Sequence, residues 1–363
     1  MMGRLGDRRG FALPLTILLI ALLTVMLSSG FARVRADRQV ANASTDMAAA
    51  VAVAQSGLQS YLGTLNTDAC ERPIRPSDGD STRINVTGGY ADVVAYVAQR
   101  PLDTLANWLY VVRSTGYVIN PSSSVRQAKR TVAQFAQWQS GTIDMPAAFV
   151  AANGLTRASG GSGQLHGADE NWPSSCRIPN RYGVLTPSDG VPSPLTDFNL
   201  TGVSPYVQGW SNPKNVADST HVDWFETITG VLEPDYTTIQ TGNWNYPVMV
   251  VPGNATLGLP GQTTYGTGLL VVGNTLTIQG NFVQWYGVIL VGGRIRFDAN
   301  DQRFDGYIAS GLNAQLGIAA GSGQIGGNYL DIDLNSSFIR QAMAPLSGFA
   351  PIGNAWTDGW KDY

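Results

Sequence analysis

The sequence predicts an α+β fold that is mostly β: a long N-terminal transmembrane helix, a small β meander, then a glycine-rich β-solenoid-like domain. Three observations predict it. The chain is apolar and uncharged from Phe11 to Leu27, long enough as a helix to reach across a bilayer core. Residues 85–98, 108–119 and 125–138 are rich in β-branched and aromatic side chains and are separated by turn signals. A glycine-bounded motif recurs every 19 residues, at Gly268, Gly287 and Gly306.

Composition agrees. At 363 residues the chain exceeds one average domain. Only 13% of residues are charged, 42 are glycine, and 44% are hydrophobic with nine Trp. That is a β-rich, loop-rich, extracytoplasmic composition and not a disordered one. A net charge of −3 gives no electrostatic case for a nucleic-acid partner.

The helix is expected over 11–63, preceded by a leader at 1–10. Pro14 falls in the first turn, where a missing amide donor is cheap. Ser28-Ser29-Gly30 is its weak point by propensity. Beyond it, Val34, Ala41, Ala48 and Leu62 recur at sevens, beside a second row of Val40, Met47, Ala54 and Tyr61. Either row gives one helix face a mild apolar stripe. A continuous helix from Phe11 to Leu62 would run about 78 Å.

The meander is expected over 64–140 and the solenoid-like domain over 141–340. In the latter, Gly268-Leu-Leu-Val-Val-Gly273, Gly287-Val-Ile-Leu-Val-Gly292 and Gly306-Tyr-Ile-Ala-Ser-Gly311 stand in phase. Matched apolar pairs follow each: Leu276 and Ile278, Ile295 and Phe297, Ala314 and Leu316. One such unit cannot bury its apolar side, whereas stacked rungs can. A fainter copy begins near Ala148, with Asn153 at its corner and Gly167 one period on. An insertion at 170–266 interrupts the copies and carries a helix at about 217–230. A short helix opens at Phe338, and 341–363 is expected to cap the solenoid through Trp356 and Trp360.

The start of the chain narrows the function. Residues 8–15 read Arg-Arg-Gly-Phe-Ala-Leu-Pro-Leu. An ordinary signal peptide places its small-residue cut site after the apolar stretch. Here the small residue, Gly10, precedes it. This arrangement resembles the type III signal of type IV prepilins and pseudopilins. The resemblance implies a prepilin peptidase that cuts after Gly10 and methylates Phe11. It further implies storage in the inner membrane with a periplasmic head, then assembly with other pilins into an extracellular fibre. Leu15 stands where major pilins carry a glutamate. That departure is shared by PilX-like minor pilins and by the large GspK-type minor pseudopilin, and it argues against a bulk fibre subunit. A minor pilin acting in assembly, tip priming or adhesion to a surface is expected. The alternatives are a GspK-like pseudopilin of a type II secretion system and a membrane-anchored β-helix adhesin.

No enzymatic activity is expected. His221, Asp223 and Glu226 do not share one helical face, and no G-x-S-x-G elbow occurs. Gly321-Ser-Gly-Gln-Ile-Gly326 matches a dinucleotide fingerprint but opens no amphipathic helix. No cofactor is expected; Asp298, Asn300, Asp301 and Asp305 form a weak calcium candidate against the plainer reading of a solvated corner. Cys70 and Cys176 lie outside the cytoplasm in this reading, as either a mutual disulfide or two buried thiols.

Overall fold

A computed structural model of the protein describes residues 12–101, 107–118, 128–157, 161–171, 173–187, 195, 197–203, 206–207, 212–229 and 232–358. Helix α1 (Ala12–Leu62) is unbroken. The Ser28 and Ser29 hydroxyls donate back to the carbonyls of Thr24 and Met26, at 2.7 and 2.8 Å. Their polar groups are thereby satisfied on the helix's own backbone. Four antiparallel strands follow: β1 (Asp80–Val86), β2 (Gly89–Gln99), β3 (Trp108–Val118) and β4 (Lys129–Gln139).

The sheet takes only the last turns of α1. Ala50, Val53, Ala54, Leu58 and Tyr61 are buried on it, at the three-and-four spacing of one helical face. Val34, Ala41 and Ala48 are exposed, because burial on the sheet begins only at Ala50. Only the lower ends of the two stripes legible in the sequence are used: Ala54 and Tyr61 of the second are buried, and Leu62 of the first packs against the same core.

The solenoid-like domain begins with β5 (Ala147–Ala151), β6 (Leu155–Arg157), β7 (Ser162–His166), β8 (Tyr182–Leu185), β9 (Phe198–Thr201) and β10 (Tyr206–Val207). Two short helices follow, α2 (Pro213–Asp218) and α3 (Trp224–Thr229). The second run of rungs is β11 (Val248–Val251), β12 (Ala255–Leu257), β13 (Thr263–Val272), β14 (Leu276–Ile278), β15 (Phe282–Val291), β16 (Ile295–Phe297), β17 (Asp301–Ser310), β18 (Gly323–Ile325) and β19 (Tyr329–Asp333). The chain ends in α4 (Ser336–Met343) and β20 (Gly348–Asp358).

All solenoid pairings are parallel. β13, β15 and β17 stack with Gly268, Gly287 and Gly306 in one row, and β12, β14, β16, β18 and β6 form a second wall. The glycine row bends each long strand. Its φ values are +108°, +132° and +149°, and a Cβ on Gly306 would overlap the Gly287 carbonyl. L side chains rarely adopt that conformation, so the row is confined to glycine. Between the walls, Phe149, Phe297 and Phe304 pack edge to face at 5.7 Å.

The two runs meet at a seam. One half of β17 (Asp301–Asp305) pairs with β19, and the other half (Ile308–Ser310) pairs with β5. β18 pairs with β6, and β19 with β7. The chain therefore enters the stack in its middle through β5, builds outward to β10, crosses to the far end at β11, and returns to the middle through β19.

Three expectations are corrected. The segment 170–266 is not a single insertion, since β8, β9, β11 and β12 within it are rungs. Val248 pairs with Leu269, a step of 21 residues and not 19, which hides that rung from the repeat. The helix expected at 217–230 is split between α2 and α3, with His221 in left-handed conformation at φ 50°. The C-terminal segment does not cap the solenoid as one piece. α4 lies over the glycine row, with the Ala342 methyl against Gly287, but β20 returns to the meander and pairs with β4, Trp356 opposite Gln134. Trp360 is outside the described residues. The whole solenoid-like domain is thus inserted between two paired strands of the meander sheet.

Candidate functional site: a bare apolar helix and its seat

Gly10 and Phe11 lie outside the described residues. From Leu13 onward the helix is bare. Eleven large apolar side chains between Leu13 and Leu27 are about half or more exposed, Leu15 at 58% among them. Burying them is worth on the order of 20 kcal/mol. That exceeds the whole stability of an ordinary domain, about 5–15 kcal/mol, so this stretch requires an apolar surrounding. Among the described residues, α1 holds the one helical stretch apolar and long enough to cross a membrane.

The last turns of the helix are held by close backbone approach. The Ser114 hydroxyl donates to the Ala54 carbonyl at 2.8 Å. A Cβ on Gly116 would overlap the Ala50 carbonyl and the Ala54 nitrogen, and one on Gly57 would overlap the Ala91 methyl. Small residues on both sides therefore set the helix against the sheet. At its lower end, Phe349 of β20 packs its ring 5.8 Å from Tyr61, 5.3 Å from Tyr110 and 5.2 Å from Trp138. Burial pushes the Tyr61 hydroxyl up to about 12. A residue that follows the solenoid in sequence thus completes the core under the helix.

A second set of contacts ties the solenoid to the loop after α1. Cys70 and Cys176 form a disulfide, with Cα atoms 5.2 Å apart. Arg340 donates to the carbonyls of both cysteines, at 2.9 Å each. Asp169 is buried and accepts four hydrogen bonds: from the Ser336 amide and hydroxyl, the Ile178 amide and the Asn171 amide. Glu71 accepts from Ser337 and Gln341. Asp169 and Arg340 had no signal in the sequence; only the N-cap asparagine before α4, Asn335, marks the place.

The residues singled out for chemistry are dispersed. His221 Nδ1 lies 3.1 Å from Asp144, while Asp223 accepts from the Glu226 amide at the start of α3. Asp298 pairs with Arg296 at 3.0 Å and Asp301 with Arg303 at 3.5 Å. Asn300 donates to Asn281, and Asp305 accepts from Gln284 at 3.3 Å. The four calcium candidates thus turn to different partners, and among the described residues no three His, Cys, Asp or Glu side chains are grouped to hold a metal. Gly323–Ile325 is strand β18, not the start of a helix. A cleft of about 850 Å³ is lined by Asp144, Arg181, Tyr182 and His221; no nucleophile and base face each other among these four.

No family model and no curated protein matches the chain. Among solved structures, the competence-associated pilin ComZ from Thermus thermophilus is similar at 12% identity, over 86% of this chain and 97% of that one, with a TM-score of 0.24.

Proposed function

We propose that the protein is a minor type IV pilin-like subunit. The observation that carries this reading is the division of α1: an apolar first stretch left bare and its last turns seated on an antiparallel sheet. The bare stretch is stored in the inner membrane and later packs among the helices of other subunits. A prepilin peptidase releases residues 1–10 by cutting between Gly10 and Phe11 and methylates Phe11. Leu15 brings no carboxylate to pair with a neighbour's amine, which suits a low-copy position over bulk polymerisation. The large inserted domain is then displayed outward, in the periplasm before assembly and on the fibre surface or tip after it. Its work is priming assembly or contacting a surface.

Intact-mass and N-terminal analysis of the protein from its native membrane tests this reading. The expected mature chain begins with N-methyl-Phe11. A chain beginning at Met1, or one cut after Ser29, overturns it.

A further inference from the structure

The seam between the two runs of rungs is also where ionisable groups crowd. Asp305, Asp333 and His166 occupy one cross-strand row on β17, β19 and β7, directly opposite one another. Arg303, Asp331 and Gln164 form the next row on the same face. Adjacent rungs are about 4.8 Å apart, so like-charged carboxylates stand at nearest-neighbour distance. All three aspartates are half-buried. Asp331 Oδ1 and His166 Nε2 are buried without a hydrogen-bond partner. His166 Nδ1 lies 2.8 Å from Asp333 Oδ1, within ion-pair range but without hydrogen-bond alignment.

The surrounding charge offsets the row only in part: Arg303 and His166 oppose the carboxylates without cancelling their burial. β17 contributes Asp301 and Arg303, and these two face each other at 3.5 Å. β15 contributes Tyr286, opposite Asp305. β19 adds Tyr329, whose hydroxyl accepts from Gln164 at 2.6 Å. The turn after β7 adds Glu170, whose amide bonds the Leu334 carbonyl at the end of β19. β9 brings only Asn199 and Thr201 to this face. On α4, the only charged side chain, Arg340, is spent on the Cys70 and Cys176 carbonyls. Asp169 is turned away to Ser336.

We propose that the seam is a proton-operated latch: Asp305, Asp331 and Asp333 repel across β17 and β19 when charged, and protons shared among them draw β17 and β19 together. The titration has one sign at all three carboxyls. Burial, followed by the neighbouring carboxylates, raises Asp333 from the ordinary 3.8 to about 6. Burial likewise raises Asp305 and Asp331. The folded seam therefore binds protons that the unfolded chain releases. Its stabilisation is full below the ordinary carboxylate value and is lost as pH rises through about 6. The strand released at high pH is β19, the last rung before the chain leaves for α4 and the meander. The latch closes on mild acidification and loosens toward neutrality.

Amide hydrogen exchange on the full-length, disulfide-intact protein at about pH 5 and about pH 7.5, corrected for the intrinsic chemical rate, tests the latch. Protection of β19, β7 and residues 301–305 is expected to be tenfold to a hundredfold greater at the lower pH, on the order of the linkage to a two-unit shift. β13 and β14, far from the seam, should keep the same protection at both. Asp333→Asn and Asp305→Asn, which keep shape and remove charge, should flatten the dependence. A wild-type seam whose protection is independent of pH overturns the proposal, as does a dependence equal in β13 and β14. So does an unchanged dependence in either variant. The wild-type comparison decides even if a variant does not fold.

Discussion

The meander and the solenoid-like domain reach closure by opposite routes. The meander is antiparallel, single-layered and short of one strand until β20 arrives from the far side of an inserted domain. The solenoid-like domain is parallel, repeats one bent strand, and is closed by bringing two of its own segments together at β17. One region borrows an element from outside; the other borrows only from itself. The difference teaches which region depends on the other. The solenoid's rungs are complete without the meander, whereas the core under α1 needs Phe349 and hence the whole intervening chain.

The largest test of that asymmetry is Gly306→Val. A side chain there meets the Gly287 backbone at a φ of +149°, and the expected loss exceeds about 4 kcal/mol. Proteolysis should cut first within 147–333, and near-ultraviolet signals from Trp138 and Tyr110 should fall with it if the meander depends on the solenoid. A meander that keeps its signal while the solenoid is digested would break the comparison.

Paired replacement of Cys70 and Cys176 by serine comes next. A loop of 106 residues freed in the unfolded state corresponds to about 5 kcal/mol in the chain-entropy picture. Denaturant titration should show the loss, and reduction of the wild type should reproduce it.

Phe349→Ala is expected to cost about 3 kcal/mol. It removes a ring shared by Tyr61, Tyr110 and Trp138. The loss should appear in amide exchange of β4 and the end of α1 while the β13–β15 rungs stay unchanged, which sharpens the claim of one-way dependence. The smallest effect is Ser114→Ala, about 1 kcal/mol, read from the thermal midpoint. It removes the hydroxyl that bonds Ala54 but leaves the seat of small residues intact.

What was legible in the sequence divides along the same line. The repeat at Gly268, Gly287 and Gly306 could be read because each rung imposes the same local backbone demand, and a glycine answers it in place. The long helix was legible for the same reason, as a run of local preferences. β20 was not, because its pairing with β4 joins Gly348 to Gln139 across the entire inserted domain, and Trp356 carries no mark of which sheet it faces. The rung at β11 was lost to a loop two residues longer than its neighbours. His221 broke an expected helix through a backbone conformation that no composition signals. In α1 the sequence offers two stripes, and how much of either is used depends on where Gly116 and Ala91 lie in the partner sheet. The electrostatic row at the seam was invisible, since Asp305, Asp333 and His166 become neighbours only when the second run returns beside the first.

The insertion point also fixes how the molecule answers to being pulled. β4 ends at Gln139 and β20 begins at Gly348, paired side by side at one margin of the sheet. Tension on the solenoid-like domain therefore enters the sheet at that margin, through the adjacent ends of both strands. The disulfide lies in parallel with it. It joins the solenoid at Cys176 directly to Cys70, a short loop away from the end of α1 at Leu62. A covalent line thus runs from the solenoid-like domain to the end of α1 without crossing the sheet, so tension between the two reaches the helix through the disulfide before it loads the strands.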